Sequence, residues 1–171
     1  MSGEPVRRTP SGRPLRLVGP TGVPVVAVVP VVPVGTDGTD GTDGTLALVL
    51  SPERQSVAVG RHWVVRAAVD AGVTGMANQM VELLTSELLA NAVLHGSAGR
   101  AIHLWFHCTD EVARISVSDS VPDPPVVLHP GIVAPSGRGM AIVETMSNRW
   151  GVDEQPEFGK TVWFEIDLDE Y

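Results

Sequence analysis

The chain has 171 residues, 43% of them hydrophobic and 19% charged, the composition of one soluble globular domain with a real core and too short for two. The formal net charge is -8. The four basic residues before position 46 (Arg7, Arg8, Arg13, Arg16) balance four acidic ones (Glu4, Asp37, Asp40, Asp43), so the remainder carries the whole excess, which repels phosphate backbones and argues against direct nucleic-acid binding.

Residues 1–44 differ in character from the rest. The stretch "LVGPTGVPVVAVVPVVPVG" superficially resembles a membrane anchor, but Pro20, Pro24, Pro30 and Pro33 interrupt it. Its longest proline-free apolar run, "VVAVV", falls far below the roughly 20 residues of a spanning helix, so no membrane association is expected. The repeat "GTDGTDGTDGT" lacks the nonapeptide pattern of a calcium-binding β-roll and reads as a flexible linker. The expected organisation is a disordered tail and linker over 1–44, followed by one domain over 45–171.

Order is expected to begin with "TLALVL" (45–50), a short strand. Ser51-Pro52-Glu53 offers an N-cap, a first-turn proline and a first-turn acid for a helix running to about Asp70. A second helix starts at Thr74 or Asn78 and runs to His95, where Gly96 stops it. "AIHLWFHC" and "VARISVSD" alternate as strands, joined through Thr109-Asp110-Glu111. After a proline-rich loop (120–136), "GRGMAIVETMSNRW" reads as a helix burying Met140, Ile142, Val143 and Met146, and two strands follow at about 150–154 and 160–168. The order β-α-α-β-β-α-β-β predicts a two-layer α/β sandwich, with helices on one face of a largely antiparallel mixed sheet. The same alternation puts Trp105, Trp163 and Thr161 on the face away from the helices, a candidate docking or dimer surface.

The second helix carries an oddity. At about 100° per residue, Glu87, Asn91 and His95 fall near 0°, 40° and 80°, on the arc that also holds Met80, Leu84 and Leu88. Asn78, Glu82 and Ser86 mark an opposite, exposed side. A carboxylate cannot be buried unpaired, so Glu87 must face a polar cavity or a partner. Asp119 ends its strand in phase with Ile115 and Val117, and "SGRGMAIV" sets Gly137 and Gly139 at a helix start, where backbone N–H groups favour anions.

Other chemistries find no support. There is no Gly-x-x-x-x-Gly-Lys-Ser/Thr loop and no Gly-x-Ser-x-Gly elbow. His103 and His107 share a strand face but stand about 13 Å apart, too far for one metal ion. The single cysteine, Cys108, excludes an internal disulfide or a cysteine-rich metal site and fits a reducing cytoplasm.

In this order, "ELLANAVLHG", "SDSVPDPP", "GRGMAIVETMSNRWGV" and "GKTVWFEI" resemble the ATP-binding domain shared by sensor histidine kinases, gyrase, ninety-kilodalton heat-shock chaperones and mismatch-repair ATPases. The region from about 46 to 168 looks more closely like the anti-sigma-factor serine kinase branch of these histidine-kinase-like (GHKL) proteins. The resemblance implies a Bergerat-type sandwich that binds ATP with Mg²⁺. Glu87 would be the general base, Asn91 the Mg²⁺ ligand, and Asp119 the acceptor for the adenine amino group with Thr161 in support. Gly137, Arg138 and Gly139 would hold the phosphates, and His95 would shape the phosphate end. It further implies cytoplasmic partners, a sigma factor and an anti-anti-sigma antagonist phosphorylated on serine, and a homodimer as one assembly. A binding module that keeps the fold without catalysis is the alternative. One departure is that the family's Asp-x-Gly box reads Asp119-Ser120-Val121-Pro122 here.

Overall fold

The computed structural model describes residues 27–31, 44–96, 99–121, 138–155 and 159–171. Six strands form one sheet: β1 (Ala27–Val31), β2 (Gly44–Leu50), β3 (Ile102–Cys108), β4 (Val112–Asp119), β5 (Arg149–Gln155) and β6 (Gly159–Asp167), in the spatial order β1-β2-β3-β4-β6-β5. Every ladder among the described residues is antiparallel. β1 falls inside the segment expected to be a disordered tail, and it pairs with Thr45 to Val49 on β2's outer edge. An edge is where a strand tolerates Pro30, whose missing N–H would break a central ladder. The remainder of 1–44, up to β2, lies outside the described residues.

Three helices, α1 (Arg54–Asp70), α2 (Gly75–His95) and α3 (Gly139–Met146), cover one face. α1 packs on β2 and β3, α2 on β4 and β6, and α3 on α2 and β5, which makes the expected two-layer sandwich. Strand alternation builds the core between the layers. Leu48, Leu50, Ile102, Leu104, Phe106, Ala113, Ile115, Val117, Val162, Phe164 and Ile166 point toward the helices and are buried. Burying this apolar surface is the main stabilising term, at roughly 25 cal/mol per Å² removed from water.

Some boundaries differ from expectation for local reasons. α1 begins at Arg54, with Glu53 as its N-cap and no side-chain cap bond. Ser51 lies before the helix, its hydroxyl 3.3 Å from that of the buried Ser56. α3 ends at Met146, four residues short of Trp150, because Ser147 Oγ donates to the Val143 carbonyl at 2.6 Å. Asn148 then anchors the chain to β6, its N–H donating to the Glu165 carbonyl and its Oδ1 accepting from the Asp167 N–H. The Thr109-Asp110-Glu111 turn forms as expected. Thr109 Oγ1 accepts from the Glu111 and Val112 N–H groups.

Asn78 is a correction. It was expected on the exposed side of α2, yet it is buried, and its Nδ2 donates to the Val73 carbonyl at 3.0 Å and the Val65 carbonyl at 3.4 Å. It ties the start of α2 to the α1–α2 connection. Asn78→Ala removes both bonds and leaves carbonyls short of a donor, so urea unfolding should show a loss of about 1–3 kcal/mol.

Candidate functional site

α2 buries Ala77, Asn78, Val81, Leu84, Thr85, Leu88, Leu89 and Ala92, an arc centred near 120° when Glu87 is set at 0°. Glu87 and Asn91 therefore sit at one border of that arc, not within it, and both are half-buried. Neither side chain has a hydrogen-bond partner among the described residues, so a carboxylate and an amide one turn apart keep their bonding capacity open at the rim of the core. That answers the oddity of the sequence, because the polar heads reach a cleft instead of the interior.

The start of α3 forms the other side of this cleft. A Cβ added at Gly139 would lie 2.5 Å from Glu87 Oε2, so the first residue of α3 rests directly on the carboxylate and a side chain there would have to displace it. Arg138, the N-cap of α3, is exposed beside it. Gly137 and the loop from Pro122 lie outside the described residues. His95, the last residue of α2, is exposed about 12 Å along the helix from Glu87. It was expected near the phosphate-binding glycines. It precedes Gly96, where an added Cβ would come 3.7 Å from Asp119 Cβ.

Asp119 is buried at the end of β4, facing the helices with Ile115 and Val117. Its Oδ1 accepts two bonds, one from the Val121 N–H at 2.9 Å and one from Lys160 Nζ at 2.9 Å. Lys160 is itself only 2% exposed and also donates to the Val121 carbonyl at 3.1 Å. A buried salt bridge of this kind was not read from the sequence, although a signal was present: Lys160 is in phase with Val162, Phe164 and Ile166 on the core side of β6. The register pairs Asp119 with Lys160 and Ser118 with Thr161. Thr161, expected to support Asp119, therefore stands on the other face of the sheet, and Lys160 takes its place. Gly159 lets β6 come this close. Its φ is +109°, and a Cβ there would strike the Asp119 carbonyl and lie 2.6 Å from Ser120 Cα. The loop after β4 lacks the family's glycine, and the close approach is made by a glycine on the neighbouring strand.

A family model for the histidine kinase-like ATPase domain matches residues 50–166, from the end of β2 to the last core residue of β6. The chain belongs to this family. Comparison with curated proteins gives no significant match. The family is that of histidine kinase-like ATPases, which bind ATP. No described helix is long and apolar enough to cross a membrane.

The second face of this ATPase domain carries Trp105 and Trp163, both half-buried. Each is covered by near neighbours. Trp105 stacks on His103 with ring centroids 5.6 Å apart. The Arg114 guanidinium sits 3.8 Å over the Trp163 ring, and Arg114 and Arg149 both bond Glu165. A cavity of about 430 Å³ lies at the ends of β3 and β4, lined by Arg100, His103, Trp105, Ser118 and Ser120 as well as Asp119. Most of that lining belongs to the second face, so it is distinct from the α2–α3 cleft. Burial, and then the nearby Asp110 carboxylate, raise the Cys108 thiol above its ordinary range, so it stays protonated and is not a nucleophile.

The Asp119–Lys160 bridge makes a definite energetic prediction. Lys160→Met leaves a buried carboxylate unpaired and should cost about 3–5 kcal/mol by denaturant unfolding, whereas Lys160→Met with Asp119→Leu should recover most of that loss. Additive losses in the double variant would show that the two charges do not depend on one another.

Proposed function

We propose that this ATPase domain is a regulatory protein of the anti-sigma-factor serine kinase type, which transfers the γ-phosphoryl group of ATP to a serine hydroxyl of an antagonist protein and acts on transcription by protein–protein contact. The observation that carries the reading is the Glu87 carboxylate, half-buried, without a hydrogen-bond partner among the described residues, and lying against the first residue of α3. A helix N-terminus with a side-chain-free first residue suits phosphate oxygens. A carboxylate beside that place is positioned to receive the proton of an attacking hydroxyl.

In this reading the serine oxygen bonds to the γ-phosphorus as the bridging bond to ADP breaks, and the serine proton passes to Glu87. Bound Mg²⁺ would neutralise charge on the phosphates. The donor set fits it, since magnesium keeps several waters and phosphate oxygens and needs only one or two protein ligands, here the open amide oxygen of Asn91. Asp119 accepts from the adenine amino group at the other end of the cleft, next to the α2 terminus that carries His95. Gly137, Arg138 and Gly139 serve the phosphates. The partners are a sigma factor and its antagonist, met by the second sheet face through Trp105. A homodimer on that face would show as a doubled mass in light scattering.

Four variants test this scheme with radiolabelled ATP and a purified antagonist. Glu87→Ala should lower transfer by roughly a hundredfold or more with ATP affinity retained. Asn91→Ala should lose the Mg²⁺-dependent part of binding. Asp119→Asn should weaken ATP binding, and Gly139→Ala should lower transfer by displacing Glu87. A parent protein that binds ATP but transfers nothing would identify a binding module. Parental transfer by both Glu87→Ala and Asn91→Ala would end the kinase reading.

A further inference from the structure

We propose that the cavity at the ends of β3 and β4 is a second ligand site, built for the phosphate group of a phosphomonoester and separate from the α2–α3 cleft. The inference stands without the nucleotide reading above, because it uses no residue placed in that cleft.

The cavity forms where two chains part. The β3–β4 ladder runs from Cys108–Ala113 to His103–Ser118 and stops there. Beyond it, the chain entering β3 carries Arg100, whereas the chain leaving β4 is held toward β6 by the Asp119–Lys160 bridge and the Lys160–Val121 bond. About 430 Å³ opens between them, within the range of small-molecule sites.

The lining is rich in donors with nothing to bond. Arg100 is exposed and has no ion-pair or hydrogen-bond partner among the described residues, in a chain with 20 acidic residues against 12 basic ones. Ser120 Oγ is shut off from solvent and likewise lacks a partner among the described residues. His103 and Ser118 face each other across the last rung, and neither side chain is hydrogen-bonded among the described residues. Asp119, the carboxylate of the lining, turns its side chain to the helix side, where Lys160 and the Val121 N–H hold it. A guanidinium, an imidazole N–H and two hydroxyls thus line one cavity without an opposing charge, which suits an oxyanion. Donors on both chains match the three terminal oxygens of a phosphomonoester better than the two of a carboxylate. Trp105 supplies the rest of the wall. Its half-buried indole is backed by the His103 ring, with the two planes 16° apart, so an organic group attached to the phosphate has an aromatic surface to pack against.

The experiment is nuclear magnetic resonance titration of the full chain with phenyl phosphate, phenol and inorganic phosphate. The shifts are followed at the Trp105 indole N–H and the backbone amides of His103, Ser118 and Ser120. Phenyl phosphate should give saturable shifts there at millimolar concentration or below, and neither part alone should bind as tightly. Arg100→Ala should weaken binding by at least about tenfold, the usual loss on removing a charge-assisted hydrogen bond. Arg100 is exposed and unpaired among the described residues, so its replacement does not threaten the fold. Ser120→Ala should weaken binding about threefold yet leave the melting temperature of the ligand-free protein at or above the parental value, since the hydroxyl bonds nothing among the described residues. A phosphoserine peptide titrated in parallel separates the two sources of such a group. Tighter binding than phenyl phosphate identifies a modified protein and weaker binding a metabolite, and either supports the inference. Shifts centred on Asn91 and Gly139 overturn it, as does parental affinity in Arg100→Ala. An absence of saturable shifts up to about 10 mM overturns it as well.

Discussion

Two charges in the interior, Asp119 and Lys160, fix more of this molecule than any apolar contact does. Along the helix-facing side of β4 and β6 the register pairs Ala113 with Ile166, Ile115 with Phe164 and Val117 with Val162, and then meets the ion pair. Apolar pairs tolerate some exchange of partners, but a slip of two residues would set Asp119 beside Val162 and leave two buried charges alone. Such an error costs several kcal/mol where misplaced methyl groups cost one or two. The bridge therefore specifies the register of the central ladder. It also fixes the start of the loop that follows β4, because Lys160 and Asp119 together bond both the N–H and the carbonyl of Val121.

The cleft inherits its geometry from that arrangement. α2 packs on β4 and β6, and two places along it are set against different things. Near its middle Glu87 touches the first residue of α3, and at its C-terminal end Gly96 lies against Asp119. One rigid helix thus spans the distance between a place suited to phosphate and a place suited to a base. Close packing does this without any side-chain bond between the two ends, and glycine at 139 and 159 supplies the clearance.

Much of this could be read from the residues. β4 was legible to its final residue, because strict alternation in "VARISVSD" leaves no other register, and α2 was legible because a long apolar helix ends at a glycine. Side chains that bond across the tertiary structure were harder. Asn78 looks like a solvated residue until the carbonyls of Val65 and Val73 are brought to it. Ser147 and Asn148 look helical until one bonds back to Val143 and the other is held by β6. Thr161 and Lys160 show the trade between motif and periodicity: the motif pointed to the threonine, and the period of two already pointed to the lysine. The polar cleft residues were legible as a set, but their order from Glu87 to His95 along the cleft required α3 and β4 to be in place.

The strand order has a consequence for how the molecule comes into being. β6 follows β5 in the chain yet lies between β4 and β5 in the sheet. Until β6 has been synthesised, β5 has no neighbour to pair with and the outer edge of β4 is bare. Asp119 is then at an open margin without Lys160 beside it, and the cleft has no floor on that side. The site closes late, in a single step that joins residues about forty positions apart, so loop closure over that distance weighs on the rate of folding more than the helices do. A ribosome-bound intermediate would present an unpaired β-edge for as long as translation of the last strand takes, and that interval is when such a chain is most open to aggregation or to capture by a chaperone.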